Sequence, residues 1–136
     1  MLEKREIRSL IDTALAQRKS AYAPYSDFRV GAALLAGNGE VYTGCNIENS
    51  AYSPTNCAER TAVFKAVSEG VREFRAICIT GGPGEEEPSD FCPPCGVCRQ
   101  VLLEFCDPDF EIILAVNREH YQVYTLDELV PEGFRL

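Results

Sequence analysis

Two short cysteine motifs, Cys57-Ala58-Glu59-Arg60 and Pro94-Cys95-Gly96-Val97-Cys98-Arg99-Gln100, constrain this chain more tightly than anything else in it. Cys95 and Cys98 stand at i and i+3, a spacing that shares one face of a helix. A Cys-x-x-Cys turn of this kind holds one flank of a tetrahedral zinc ion, and Cys57 supplies a third sulfur. Three protein ligands leave a fourth position for water, which separates a catalytic zinc site from a structural one. Whatever fold the chain adopts has to bring two distant helix starts together. Glu59, two residues beyond Cys57, then sits beside the open position without having to ligate the metal.

The surrounding stretches read as alternating helices and strands. Residues 2–19 place Leu2, Ile7, Leu10, Ile11, Ala14 and Leu15 near the i, i+3, i+4, i+7 spacing of an amphipathic helix. Pro24 removes a backbone donor and disfavours helix in the residue before it, so the chain breaks near 20–26. The apolar run at 28–36 predicts a strand, and Gly37-Asn38-Gly39 turns it back into a second strand at 40–45. Residues 57–69 carry Ala58, Ala62, Val63, Ala66 and Val67 and stop at Gly70, which predicts a helix with a glycine terminus. A strand at 75–80, a solvated loop at 81–90 holding Glu85, Glu86 and Glu87, and a helix at 96–105 follow. Strands at 111–116 and 121–125 and a last turn at 126–129 complete the series. This order predicts an α/β protein, a three-layer α/β/α sandwich around a central mixed five-stranded sheet.

With 136 residues and 46% hydrophobic content, the chain has enough apolar material for one core, and residues 1–136 are read as a single domain. Its net charge of -8 repels a polyanion, so DNA and RNA are not the expected partners and a small uncharged substrate is. No cationic segment precedes an apolar run near Met1, so neither a signal peptide nor a membrane span is expected, and the protein is read as cytoplasmic. In that reducing compartment the seven cysteines read as metal ligands or buried thiols before they read as disulfides.

Both thiol groups fall at predicted helix N-termini. Free backbone N–H groups and the positive end of the helix dipole stabilise thiolates there, offsetting the charge that three sulfurs bring to zinc. Arg60 and Arg99, one in each helix start, are candidates to donate hydrogen bonds to those sulfurs.

Taken together, these motifs resemble the signature of the zinc-dependent nucleoside deaminases, in which a non-ligand glutamate accompanies a Pro-Cys-x-x-Cys turn. Tyr25-Ser26-Asp27-Phe28-Arg29-Val30-Gly31-Ala32-Ala33-Leu34 and Gly44-Cys45-Asn46-Ile47-Glu48-Asn49 resemble the substrate segments of the small homotetrameric cytidine deaminases. The likeness runs from residue 22 to residue 134. It implies a cytidine deaminase-like fold and hydrolysis of cytidine and 2′-deoxycytidine to uridine and 2′-deoxyuridine with release of ammonia, a step in pyrimidine salvage. It also implies one Zn2+ per subunit on Cys57, Cys95 and Cys98, with Glu59 moving protons between water, N3 of the ring and the departing ammonia. Asn46 and Glu48 would bond the ribose hydroxyls, Phe28 would pack on the base, and Ala58 would meet the pyrimidine edge through its backbone. Ser50, Tyr52 and Phe134 match positions that reach a neighbouring subunit's site, so a homotetramer with shared active sites is implied. Pro93 departs from the pattern, standing where relatives often have serine.

Plainer readings compete with these. Cys45, Cys78 and Cys106 fall in apolar stretches and read as small buried hydrophobes. Cys92 could complete a closed four-sulfur structural site, and Cys95 with Cys98 could form a redox pair, although a redox pair has no need of Glu59. His120, the sole histidine, reads as a surface residue at a strand end. Within the deaminase reading, blasticidin S or a polynucleotide is the alternative substrate.

Overall fold

The computed structural model describes residues 1–136. Strand β1 (Phe28–Ala36) is buried along most of its length because it lies inside the sheet with helices over both faces. Its side chains alternate between two cores. Val30, Ala32, Leu34 and Ala36 meet Ile77, Ile79, Ile112 and Leu114 on one face, under Ala62 and Val63 of helix α2 (Ala58–Ser68) and Leu102 of helix α3 (Gly96–Phe105). Ala33 and Leu35 join Ala76, Cys78 and Ile113 on the other face, under Ile7, Leu10, Ile11 and Ala14 of helix α1 (Lys4–Gln17). This is the three-layer α/β/α arrangement, and covering both faces is why the run at 28–36 is apolar without alternation. Complete burial of side chains such as Ile11, Leu34, Ile77 and Ile112 stabilises the fold by roughly 1.5–3 kcal/mol each.

The five strands lie in the order β2-β1-β3-β4-β5, with β2 at Val41–Cys45, β3 at Phe74–Pro83, β4 at Glu111–Ala115 and β5 at Tyr121–Thr125. β1 pairs antiparallel with both β2 and β3, β3 pairs parallel with β4, and β4 pairs antiparallel with β5. β2 and β3 therefore run in the same direction, and the chain leaves both at the same end of the sheet. Helix α2 follows β2 and helix α3 follows β3, so both helices begin beyond the carboxyl ends of their strands, where open α/β sheets place their sites. Short α4 (Leu126–Leu129) closes the order behind a capping box in which Thr125 and Glu128 satisfy each other's backbone donors.

Helix α1 begins and ends two residues inside the expected span, and Arg18–Ser20 tighten into a 3-10 turn. The larger difference is in β3. Gly81 and Gly82, expected to open a loop, extend the strand and pair with Val30 and Arg29. They are glycines because the loop beyond folds back onto them: a Cβ at Gly81 would stand 2.8 Å from the Cys92 sulfur.

Candidate metal centre and substrate cavity

Cys57 caps the N-terminus of α2 and Cys95 caps that of α3, both with extended backbone. The Cys95 sulfur accepts the Cys98 backbone N–H at 3.5 Å, which turns the two thiols toward each other. Across the two helices the Cys57 and Cys95 sulfurs lie 3.8 Å apart, Cys95 and Cys98 lie 3.6 Å apart, and all three fall within 4.8 Å of one another. A tetrahedral zinc with bonds of roughly 2.3 Å holds its sulfurs about 3.8 Å apart, which the Cys57–Cys95 and Cys95–Cys98 separations match. The Cys92 sulfur is not part of this cluster, which leaves three sulfurs and excludes the closed four-sulfur arrangement.

The cluster shares its charge unevenly. Hydrogen bonding from Cys98, helped by Arg60 and Cys95, pulls the Cys57 thiol down to a pKa of about 5. The same bond to Cys57, with burial, pushes Cys98 far up. Arg60 Nη2 donates to the Cys57 sulfur at 3.3 Å, as expected. Arg99 does not. Its Nε donates to the Pro94 carbonyl at 2.8 Å and its Nη1 to the Leu129 carbonyl at 2.9 Å, so it braces the approach to Cys95 from the protein side instead of bonding a sulfur. Glu59 is only 4% exposed in the first turn of α2, and burial raises its carboxyl to a pKa of about 7.

A cavity of about 170 Å³ opens beside the sulfurs, and Asn46, Glu48, Cys57, Ala58, Glu59 and Cys95 all line it. Val30, Thr55, Asn56, Cys92 and Pro93 complete its wall; of these, only Cys92 and Pro93 stood out in the sequence, for their odd chemistry. Asn46 is pinned to β1, its Nδ2 donating to the Phe28 carbonyl at 2.8 Å and its Oδ1 accepting from Val30 N at 2.9 Å. One amide hydrogen and one lone pair remain for a ligand. Glu48 accepts from the Ser26 hydroxyl at 2.5 Å and from Tyr25 N at 2.9 Å, and these bonds hold its carboxyl below the usual range. A second cavity of about 250 Å³ shares Glu48 and Thr55 and adds Tyr25, Ser26, Asn49 and Tyr52. Neither cavity is lined by a lysine or an arginine.

The remaining expected residues lie apart from the sulfurs. Phe28 is 40% exposed and sits one strand repeat outside Val30, which takes the place in the wall. Ser50 places its hydroxyl 2.6 Å from the Tyr25 hydroxyl, outside both cavities. Tyr52 holds a left-handed backbone, with φ of 61°, and Phe134 is exposed, its carbonyl accepting from Gln100 Nε2 at 3.1 Å. Cys45, Cys78 and Cys106 are buried, as read from sequence, Cys78 and Cys106 within the two apolar layers and Cys45 with its thiol donating to the Ser20 carbonyl at 3.4 Å. His120 is exposed and stacks on Phe91 with ring centroids 4.9 Å apart.

A three-layer α/β/α sandwich whose two helix starts cluster three thiols and set a buried glutamate beside them in a cavity wall has the make-up of a zinc-dependent hydrolase. A family model described as the cytidine and deoxycytidylate deaminase zinc-binding region matches residues 4–114. The chain is 48% identical over 132 residues to a cytidine deaminase of Sporosarcina psychrophila, covering 95% of this chain and 91% of that protein. It is 48% identical over 125 residues to one of Halalkalibacterium halodurans, covering 92% and 91%. A crystal structure of cytidine deaminase from Burkholderia pseudomallei superposes with a TM-score of 0.83 at 45% identity, over 93% of this chain and 97% of that one. The chain belongs to the cytidine and deoxycytidylate deaminase family.

Proposed function

We propose that this chain hydrolyses cytidine and 2′-deoxycytidine to uridine and 2′-deoxyuridine, releasing ammonia, as a step of pyrimidine salvage. One observation carries the reading: Glu59 and two of the clustered cysteines, Cys57 and Cys95, share a cavity wall with Asn46 and Glu48. Proton-transfer chemistry and hydroxyl-binding groups thus face the same small space. The absence of a cation from either cavity favours an uncharged nucleoside over a nucleotide, and the net charge of -8 opposes a polynucleotide.

Cys57, Cys95 and Cys98 would hold one zinc ion per chain, whose Lewis acidity lowers the pKa of water from ~15.7 to ~7. Glu59 takes the proton of a water whose oxygen attacks C4, and delivers it to N3 of the ring. It then moves the second water proton to the exocyclic amine, the C4–N bond breaks, and ammonia leaves as the carbonyl forms. One water is consumed and one ammonia released. A positioned general acid–base group contributes about 10²–10⁴-fold to such a step. Asn46 and Glu48 hold the ribose hydroxyls, the Ala58 backbone meets the base edge, and Phe28 covers the base from the outer end of β1.

Ser50, Tyr52 and Phe134 reach the site of a neighbouring copy, giving a homotetramer with shared sites; exposure of Tyr52 and Phe134 in the single chain supports this. Residues 1–136 act as one domain in the cytoplasm; the single sheet supports the one-domain reading, and no helix is long and apolar enough to cross a membrane. The test is loss of cytidine ultraviolet absorbance with zinc-loaded protein. Turnover is expected, with Glu59→Gln retaining zinc but slowed at least about 10²-fold. No turnover by the zinc-loaded chain, or equal turnover by Glu59→Gln, overturns the assignment. Sedimentation at four times the chain mass is expected, and a monomer removes the role given to Phe134.

A further inference from the structure

Arg18 is buried, 4% exposed, and no carboxylate approaches it. Four of its five N–H groups donate to backbone carbonyls: Nε to Arg29 at 2.9 Å, one from Nη1 to Glu86 at 2.7 Å, and two from Nη2 to Gly82 at 2.9 Å and Gly84 at 3.1 Å. A charge is costly to bury, and replacing it with an apolar side chain is often neutral where the charge does nothing else. Those carbonyls belong to the beginning of β1, the end of β3 and the loop that leaves β3.

Two of these pieces, β1 and the loop, build one side of the substrate cavity, and the end of β3 lies between them as their support. Val30, the residue after Arg29, lines it, and so do Cys92 and Pro93 at the far end of the loop. The loop lies flat on β3, with Gly81 leaving room for the Cys92 side chain. Its backbone is otherwise held sparsely. From residue 84 to residue 94 the main chain makes one bond of its own to the rest of the fold, Gly84 N to the Asp27 carbonyl at 2.8 Å. Arg18 adds the bonds to Gly84 and Glu86, and Arg99 adds the one to Pro94. The two arginines divide the loop between them: Arg99 secures the residue before Cys95, and Arg18 secures the stretch before the cavity wall.

We infer that Arg18 is a positioning residue for substrate binding, its guanidinium clamping the ends of β1 and β3 to the loop that carries the Cys92-Pro93 wall. Arginine suits the task because its planar fork presents five donors in fixed directions, whereas lysine offers three from a single flexible point. Arg18 touches neither the thiols nor Glu59, so loss of the clamp loosens the wall while zinc stays bound. In kinetic terms the loss is one of binding shared by ground and transition states, which raises KM with little change in kcat.

This inference rests on the nucleoside reading of the cavity, and the experiment separates the two. Zinc-loaded wild type, Arg18→Met and Arg18→Lys are compared in cytidine kinetics, zinc content, and the rate at which iodoacetamide alkylates Cys92, located by peptide mass mapping. For Arg18→Met, alkylation of Cys92 at least tenfold faster is expected, with KM raised at least fivefold, kcat within twofold and one zinc per chain. Arg18→Lys, which keeps the charge but not the planar fork, restores each readout by less than half on a logarithmic scale. Cys92 alkylation within twofold of wild type in folded Arg18→Met overturns the clamp, as does a loss of activity that follows zinc loss with KM unchanged. Where Arg18→Met does not fold, Arg18→Lys decides: alkylation at least threefold faster than wild type supports the clamp, and a smaller change overturns it. Failure of the wild type to turn over cytidine refutes the nucleoside reading and leaves the alkylation comparison to decide the clamp.

Discussion

The backbone of Gly44 presses on the first turn of α2 so closely that a Cβ there would stand 2.2 Å from the Ala58 carbonyl oxygen and 2.6 Å from the Ala62 nitrogen. Strand β2 is thus the surface on which the helix bearing Cys57 and Glu59 is seated. A methyl group at this point has to be answered by movement of backbone, since no flexible side chain is in the way.

Gly44→Ala is therefore expected to shift α2 outward and to cost about 1–3 kcal/mol of stability, the usual range for overpacking. Zinc retention should suffer as well, because Cys57 moves while Cys95 and Cys98 do not. Denaturant unfolding together with competition against a graded chelator checks this; a variant that holds zinc as tightly as wild type would show that α2 has slack at its start.

Arg60 donates to the Cys57 sulfur, so Arg60→Ala removes charge compensation without opening the core. Loss of such a partner behind a metal ligand costs about 10–100-fold in metal affinity or activity. Chelator competition and turnover are expected to fall in that range while the melting temperature of the zinc-loaded protein changes little. Equal losses in all three would assign Arg60 to folding alone.

Cys57→Ser, Cys95→Ser and Cys98→Ser should each abolish stoichiometric zinc, whereas Cys92→Ser should keep one zinc per chain, because its sulfur lies outside the cluster. Metal analysis after gel filtration distinguishes the four. A zinc-free Cys92→Ser would mean that the fourth thiol does ligate.

In the chelated protein Glu59 makes a pH-dependent contribution whose sign follows from its burial. Its folded pKa of about 7 lies above the ordinary 4.5, so the folded state binds the proton more tightly than the unfolded one. No penalty exists below pH 4.5; as pH rises through 7 the buried carboxyl has to ionise, at a cost of about 3 kcal/mol. Chelated Glu59→Gln should therefore match chelated wild type at pH 4.5 and exceed it in stability at pH 8, as urea unfolding would reveal. The same stability difference at both values would show that Glu59 does not titrate in this interval.

Much of this molecule can be read in its residues because the governing signals are local. The hairpin at Gly37-Asn38-Gly39, the glycine stop at Gly70 and the Cys-x-x-Cys helix start each depend on a few neighbours, and all appear in the structure. What escaped depends on contacts distant in sequence. Gly81 and Gly82 look like loop residues until Cys92 is folded onto them. Arg99 shares a motif with Cys98, yet its partners are Pro94 and Leu129, and only the turn of α3 against α4 selects those over a sulfur. Arg18 looks like an ordinary charge at the end of an amphipathic helix, because its four acceptors are carbonyls and carbonyls leave no trace in side-chain identity. Thr55 and Asn56 reach the cavity from a loop without periodicity, where sequence offers no handle on direction.

The parallel run of β2 and β3 has a temporal side. The chain between Cys57 and Cys95 includes β3, which lies between β1 and β4 in the sheet. Cys95 and Cys98 can meet as soon as one helical turn forms, but Cys57 joins them only after β3 has been inserted. Strand pairings between residues far apart in sequence are the slow steps of folding. Stoichiometric zinc capture by a refolding chain is thus a clock for the closing of the sheet, ticking at the opposite end of the molecule from its N-terminus.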